Sequence, residues 1–122
     1  MHVSPIGPDG EPLTPGEVWN RKAAEWYRWH KANPMIWQYF ERFMFEAIRA
    51  GKKKTSHWLI IGRIRWEVYI VTTPRESGED FKISNDFIAF YARWWKKQYP
   101  MHADMLKTKR MIGEDPASPY IG

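Results

Sequence analysis

The chain has 122 residues, 43% of them hydrophobic and 16% aromatic, with eight Trp, no Cys and a formal net charge of +5. That length accommodates one hydrophobic core, and so much aromatic surface excludes a wholly disordered chain. Without Cys there is no disulfide framework, no thiolate zinc site and no cysteine nucleophile.

Residues 1–15 read as an arm, because Pro5, Pro8, Pro12 and Pro15 with Gly7 and Gly10 defeat both helix and strand. A single helical domain is expected over 16–112. Residues 113–122, with Pro116 and Pro119, form a tail whose Tyr120 and Ile121 offer groups to dock on the body. Thr14 as N-cap, Pro15 at the first helical position and Glu17 at N3 begin a helix that runs to about Ala32. Trp19, Ala23, Trp26 and His30 share one face of it, and Asn33-Pro34 stops it.

A second helix is expected from Pro34 to about Ala50. Ile36, Phe40, Phe43, Met44, Ala47 and Ile48 recur at helical spacing, and Gly51 supplies the residue after the cap. The solvated turn Lys52-Lys53-Lys54 follows, with Thr55 or Ser56 as N-cap of a helix from His57 to about Val71. Ile61, Ile64 and Val68 form its inward stripe, while Arg63, Trp66 and Glu67 point elsewhere.

The β-branched run Val68 to Thr73 is open to a second reading, as a strand. Flanked by Val71-Thr-Thr73 and Phe81-Lys-Ile83, the polar turn 74–80 closes a short hairpin in that reading. Ser84 or Asn85 caps a further helix to about Gln98, with Phe87, Phe90, Tyr91 and Trp94 on one face and Ile88, Ala92 and Trp95 widening it. Pro100 ends that helix, and a last short one is expected over Met101 to Met111. The fold class is thus mainly α, with four to five helices and an optional hairpin.

All 19 Lys and Arg lie between Arg21 and Arg110, against 10 of the 14 acids between Glu17 and Asp104, so the body carries +9 between acidic ends. Such a body attracts polyanions, nucleic acid before acidic proteins or anionic membrane, although surface charge also serves solubility alone. No apolar run approaches the ~20 residues that cross a bilayer. Met1 to Gly10 also lack the regions of a secretory signal, so a cytoplasmic protein with no membrane partner is expected.

Catalysis needs positioned titratable groups, and the sequence offers no pattern for them. His2, His30, His57 and His102 have no metal-ligand spacing, and no GxSxG, Walker or GxGxxG motif is present. A non-enzymatic protein without cofactor or metal is expected.

The densest functional signal is Gly51-Lys-Lys-Lys-Thr-Ser-His-Trp58 followed by Arg63 and Arg65. Helix, basic turn, helix and optional hairpin form the layout of winged helix-turn-helix modules. In that layout Lys52, Lys53, Lys54, Thr55, Ser56, His57, Arg63 and Arg65 face DNA at the start of the second helix, and Arg75 and Lys82 contact it from the wing. The turn is long and the preceding helix about twice the usual length, and a Lys-rich helix connection serves solubility equally well. Trp26, Trp29, Trp94 and Trp95 among Arg28, Lys31, Arg93, Lys96 and Lys97 read either as core or as a patch for unpaired bases or protein.

The elements Asn33-Pro34, Trp37, Phe40, Glu46-Ala47-Ile48, Gly51, Arg63-Ile64-Arg65-Trp66, Phe81-Lys82-Ile83-Ser84-Asn85 and Tyr91-Ala92-Arg93 resemble a group of short proteins encoded by bacteriophages and prophages. The resemblance spans about Asn33 to Arg110; the long arm and the Trp-rich first helix depart from it. The group has no assigned activity, so the resemblance implies a phage or prophage origin and supplies no catalytic residue. Two functions remain in view: non-enzymatic DNA binding, and a protein-interaction role as modulator of a host protein or as a homodimer.

Overall fold

The computed structural model describes residues 15–72, 83–109, 111, 113 and 114. Within them lie four α-helices: α1 (Pro15–Ala32), α2 (Pro34–Arg49), α3 (His57–Trp66) and α4 (Asn85–Gln98). α3 continues as a π-helical segment, Glu67–Thr72, and a 3-10 helix, Pro100–Met105, follows α4. α1 and α3 each pack against both α2 and α4, so the four helices close a ring around one aromatic core. Among the described residues the protein is mainly helical, and its one β-type pairing is a parallel bridge between Thr55 and Leu106.

Local chemistry sets the helix ends. The Asn33 side chain donates to the Trp29 carbonyl at 2.8 Å, closing α1, and Pro34 opens α2. α2 ends in a left-handed Gly51 with φ +79°. The Gly51 amide donates to Ile48 at 2.9 Å and the Lys52 amide to Ala47 at 3.0 Å, the paired bonds of a Schellman cap. Of the two candidate caps for each later helix, the hydroxyls of Ser56 and Ser84 do the capping, each accepting the second amide of its helix at 3.1 Å.

The inward stripes expected on all four helices meet in the core. Trp19, Ala23 and Trp26 from α1, Phe40 and Met44 from α2, Ile61 and Ile64 from α3, and Phe90, Tyr91 and Trp95 from α4 are buried there. The Trp residues at 26, 29, 94 and 95 belong to this core: Trp26 and Trp95 are fully buried and Trp29 and Trp94 pack against them. Trp26 and Trp95 are thus unavailable for base stacking, and Trp29 and Trp94 are half-buried. Trp26 lies flat on His30, with centroids 5.1 Å apart and planes 9° apart, and edge-on to Tyr91 at 5.3 Å.

Three expectations meet a different structure. Val68 to Thr72 is helical where a strand was the alternative; Val68 packs against the core, and that burial outweighs β propensity. With the first flank of the hairpin helical, the described residues contain no wing, and Thr73 to Lys82, including Arg75 and Lys82, lie outside them. The last helix stops at Met105. Leu106 turns extended, at φ −116° and ψ 129°, and the Met105 carbonyl accepts the Thr55 amide at 2.8 Å. Thr14 and most of the arm and tail also lie outside the described residues.

Candidate functional site

The α2–α3 connection, Ala50 to Ser56, is longer than the three or four residues of a helix-turn-helix. It is nevertheless fixed at both ends, by the Gly51 cap and by the Thr55 bond to Met105. Between these anchors Lys52, Lys53 and Lys54 are exposed. Ser56 Oγ is spent on the Trp58 amide, and the first intrahelical bond is Ile60 N–H to Ser56 O at 3.0 Å. The amides of His57 and Leu59 precede that bond and point out of the helix start, where its dipole favours anions.

The Thr55–Leu106 bridge brings a distant segment to this end. Residues 107–109 run on from it along an open cleft of about 490 Å³ that is lined by Ser56, His57, Trp58, Arg93, Lys107 and Lys109. A smaller cleft of about 250 Å³ on the Lys52–Lys53 side holds His102 and Asp104. Lys107 and Lys109 are exposed and add a second cationic edge at the start of α3, across the bridge from Lys52, Lys53 and Lys54. Burial lowers the His57 pKa from 6.5, and the nearby Arg93 and Lys96 lower it further.

Arg93 has a different task from the lysines. Its guanidinium donates to the Glu114 carboxylate, to the Ala89 carbonyl at 3.0 Å and to the Lys109 carbonyl. With its side chain only 10% exposed, it acts as a clamp that holds Lys109 and Glu114 on α4.

Of the residues singled out in sequence, Lys52, Lys53, Lys54, Thr55, Ser56 and His57 gather at this end. Arg63 and Arg65 do not. They lie about two turns along α3, on opposite flanks, and Arg63 pairs with Glu67 at 3.2 Å while lying 4.6 Å from the Phe43 ring centroid. Lys107 and Lys109 were missed, and Arg93 was read only as part of the aromatic-basic mixture, because only the long-range bridge unites them with this end.

α3 has a second unexpected feature. Its inward stripe is Ile60, Ile61 and Ile64, yet Trp58, Leu59, Trp66, Tyr69 and Ile70 are also large and apolar and are exposed, Leu59 at 68% and Trp66 at 58%. With Gly62 counted among them, Trp58 and Leu59, Gly62, Trp66, and Tyr69 and Ile70 succeed one another at three- and four-residue steps along the outward side, with Arg63 and Arg65 at its margins. The signal was present in the sequence as apolar residues around the whole helix rather than along one stripe.

Among the described residues no group of three or more His, Asp or Glu side chains converges as a metal site would require, and no helix is long and apolar enough to cross a membrane. The molecule is thus of the small, mainly helical class, with a cationic end and an apolar outer helix face. No protein-family model matches the chain, and it has no match among the curated proteins or the solved structures.

Proposed function

We propose that this protein, of phage or prophage type, binds DNA without catalysis, through phosphate contacts at the cationic end. The supporting observation is the Thr55–Leu106 bridge, which sets Lys107 and Lys109 beside Ser56 and His57 at the start of α3, the end that the exposed Lys52, Lys53 and Lys54 lead into. Five lysines around outward-pointing amides recognise a backbone, not a base sequence. The outward side of α3 carries Trp66 and Leu59 where a reading helix carries polar groups, so the contact belongs to the helix start.

Titration of a labelled duplex at rising salt tests this. Log affinity should fall linearly with log salt, and Lys107→Ala with Lys109→Ala, like the triple Lys52/Lys53/Lys54→Ala, should reduce the slope by about 0.9 per lost phosphate contact. Binding indifferent to salt and to both sets of substitutions refutes the proposal.

A second reading, a protein-docking surface, is favoured by the outward face of α3. Trp, Tyr and Arg are the usual anchors of protein interfaces, and here they gather on one helix. This reading is independent of the first, since the two surfaces use different residues apart from Trp58.

A further inference from the structure

We propose that the outward face of α3 docks a second copy of this chain, the two α3 helices lying antiparallel across a two-fold axis at the level of Ile64. The proposal rests on the docking-face reading and not on the DNA reading.

A symmetric antiparallel helix pair sets a demand on sequence: residues equally far from the axis, on either side, must fit each other. The outward residues of α3 meet it. Gly62 and Trp66 stand two residues either side of Ile64 within α3, and in residue count Leu59 and Tyr69 stand five and Trp58 and Ile70 six, the last member of each outer pair lying in the more tightly rising π-helical segment Glu67–Thr72. Each pairing joins apolar to apolar, and the innermost joins the smallest residue to the largest. A side-chain carbon placed on Gly62 would meet nothing within 4 Å, so the backbone there is an open seat, and Trp66 is a 58% exposed knob one turn away. Across the axis each Trp66 faces the other copy's Gly62, and knob and seat are filled twice.

The area is of the right order. With the three aromatic side chains at ~150–250 Å² each about half exposed, and Leu59 and Ile70 more than half exposed beside them, the five large residues offer roughly 600 Å² per copy, most of the ~800 Å² per partner of a standard stable interface. The charges are also compatible. Glu67 pairs with Arg63 on one margin, and Arg65 on the other lies at the solvent-exposed rim, close to its own symmetry mate. Screening relieves that repulsion, so added salt strengthens the dimer, opposite in sign to its effect on DNA binding.

Sedimentation of the full chain over a range of concentration and salt tests the proposal. The wild type should form a concentration-dependent dimer that tightens, or at least holds, as salt rises. Trp66→Lys should weaken it by at least about thirtyfold, as loss of a central anchor does. Gly62→Leu blocks the seat yet suits a helix better than Gly, so it should weaken the dimer while raising the melting temperature, a combination that a merely structural role does not produce. A protein that is monomeric throughout, or a dimer indifferent to both substitutions, overturns the proposal. Acrylamide quenching of the wild type minus Trp66→Phe then separates the two readings. A monomer whose Trp66 is accessible overturns the dimer alone, and one whose Trp66 is shielded overturns the docking face as well.

Discussion

α2 and α3 are neighbours in sequence and space, and both are rich in large apolar residues, but they dispose them differently. α2 buries Ile36, Phe40, Phe43 and Met44 on one side and leaves Gln38, Arg42, Glu46 and Arg49 to water. α3 buries its isoleucines and then presents Trp58, Leu59 and Trp66 outward. On α2 only Met35, at the first turn, is large, apolar and exposed; folding accounts for the rest. On α3, folding explains one side only, and an exposed Trp with no role in the core costs solubility without contributing stability.

The sharpest way to break this comparison is to truncate one aromatic on each helix. Phe40→Ala should cost about 3–5 kcal/mol, since the ring is fully buried against Trp37 and Tyr91. Trp66→Ala, measured by urea unfolding at concentrations too low for association, should change stability by no more than about 0.5 kcal/mol. A large loss at Trp66 would mean that its indole belongs to the core after all.

Next in size is the clamp that completes the cationic end. Arg93→Ala removes one partner of a mostly buried ion pair and two bonds to backbone carbonyls, and should cost about 2–3 kcal/mol. It should also release Lys107 and Lys109 from the start of α3, so DNA affinity should fall together with its salt slope although neither lysine is changed. An unaltered slope would show that 107–109 keeps its place through the Leu106 bridge alone.

The contrast between the two helices also marks how far the sequence could be read. The boundaries of α2 are legible because Pro34, the apolar stripe and Gly51 agree, each acting within a few residues. Ser56 and Ser84 are legible as one of two caps for the same reason. The extended turn at Leu106 is not, because a single backbone bond to Thr55, some fifty residues away in sequence, ends the 3-10 helix there. The cationic end is therefore half legible: its lysines at 52–54 are a local run, and its lysines at 107 and 109 arrive by tertiary structure. For Val68 to Thr72 the local preference points to strand, and the burial of Val68 decides against it. The outer face of α3 is legible in composition, but only the structure tells which apolar residues the core uses and which remain.

Two glycines extend the comparison at smaller cost. Gly51, at φ +79°, ends α2 in a conformation that a side chain resists, so Gly51→Ala should cost about 1–2 kcal/mol even though the new carbon meets no neighbour. Gly62 lies inside α3 with equal open space and no such angle, so Gly62→Ala should gain up to about 1 kcal/mol in the monomer. Opposite signs at two equally uncrowded glycines, read from thermal or urea unfolding, isolate backbone conformation as the cause.

The smallest effect expected is a pH dependence that ties the two surfaces of α3 back to its start. His57 and His30 have folded pKa values below 6.5, burial being the leading cause for each and Arg93 and Lys96 adding to it for His57. The unfolded chain therefore binds protons more readily. Stability should be indifferent to these groups above about pH 7 and should decline as pH falls from about 6.5 towards their folded values. His57→Gln should remove the part due to His57 and leave that of His30. A bound polyanion offsets the cations around His57 and raises its pKa, so DNA should bind more tightly as pH falls from about 7 to 6, a gain that His57→Gln abolishes. The α3–α3 pairing leaves His57 off its outward stripe, so sedimentation over the same range should show the dimer unchanged. If acid instead dissolves the dimer and leaves DNA binding constant, the assignment of anion binding to the helix start and of self-association to the helix face must be exchanged.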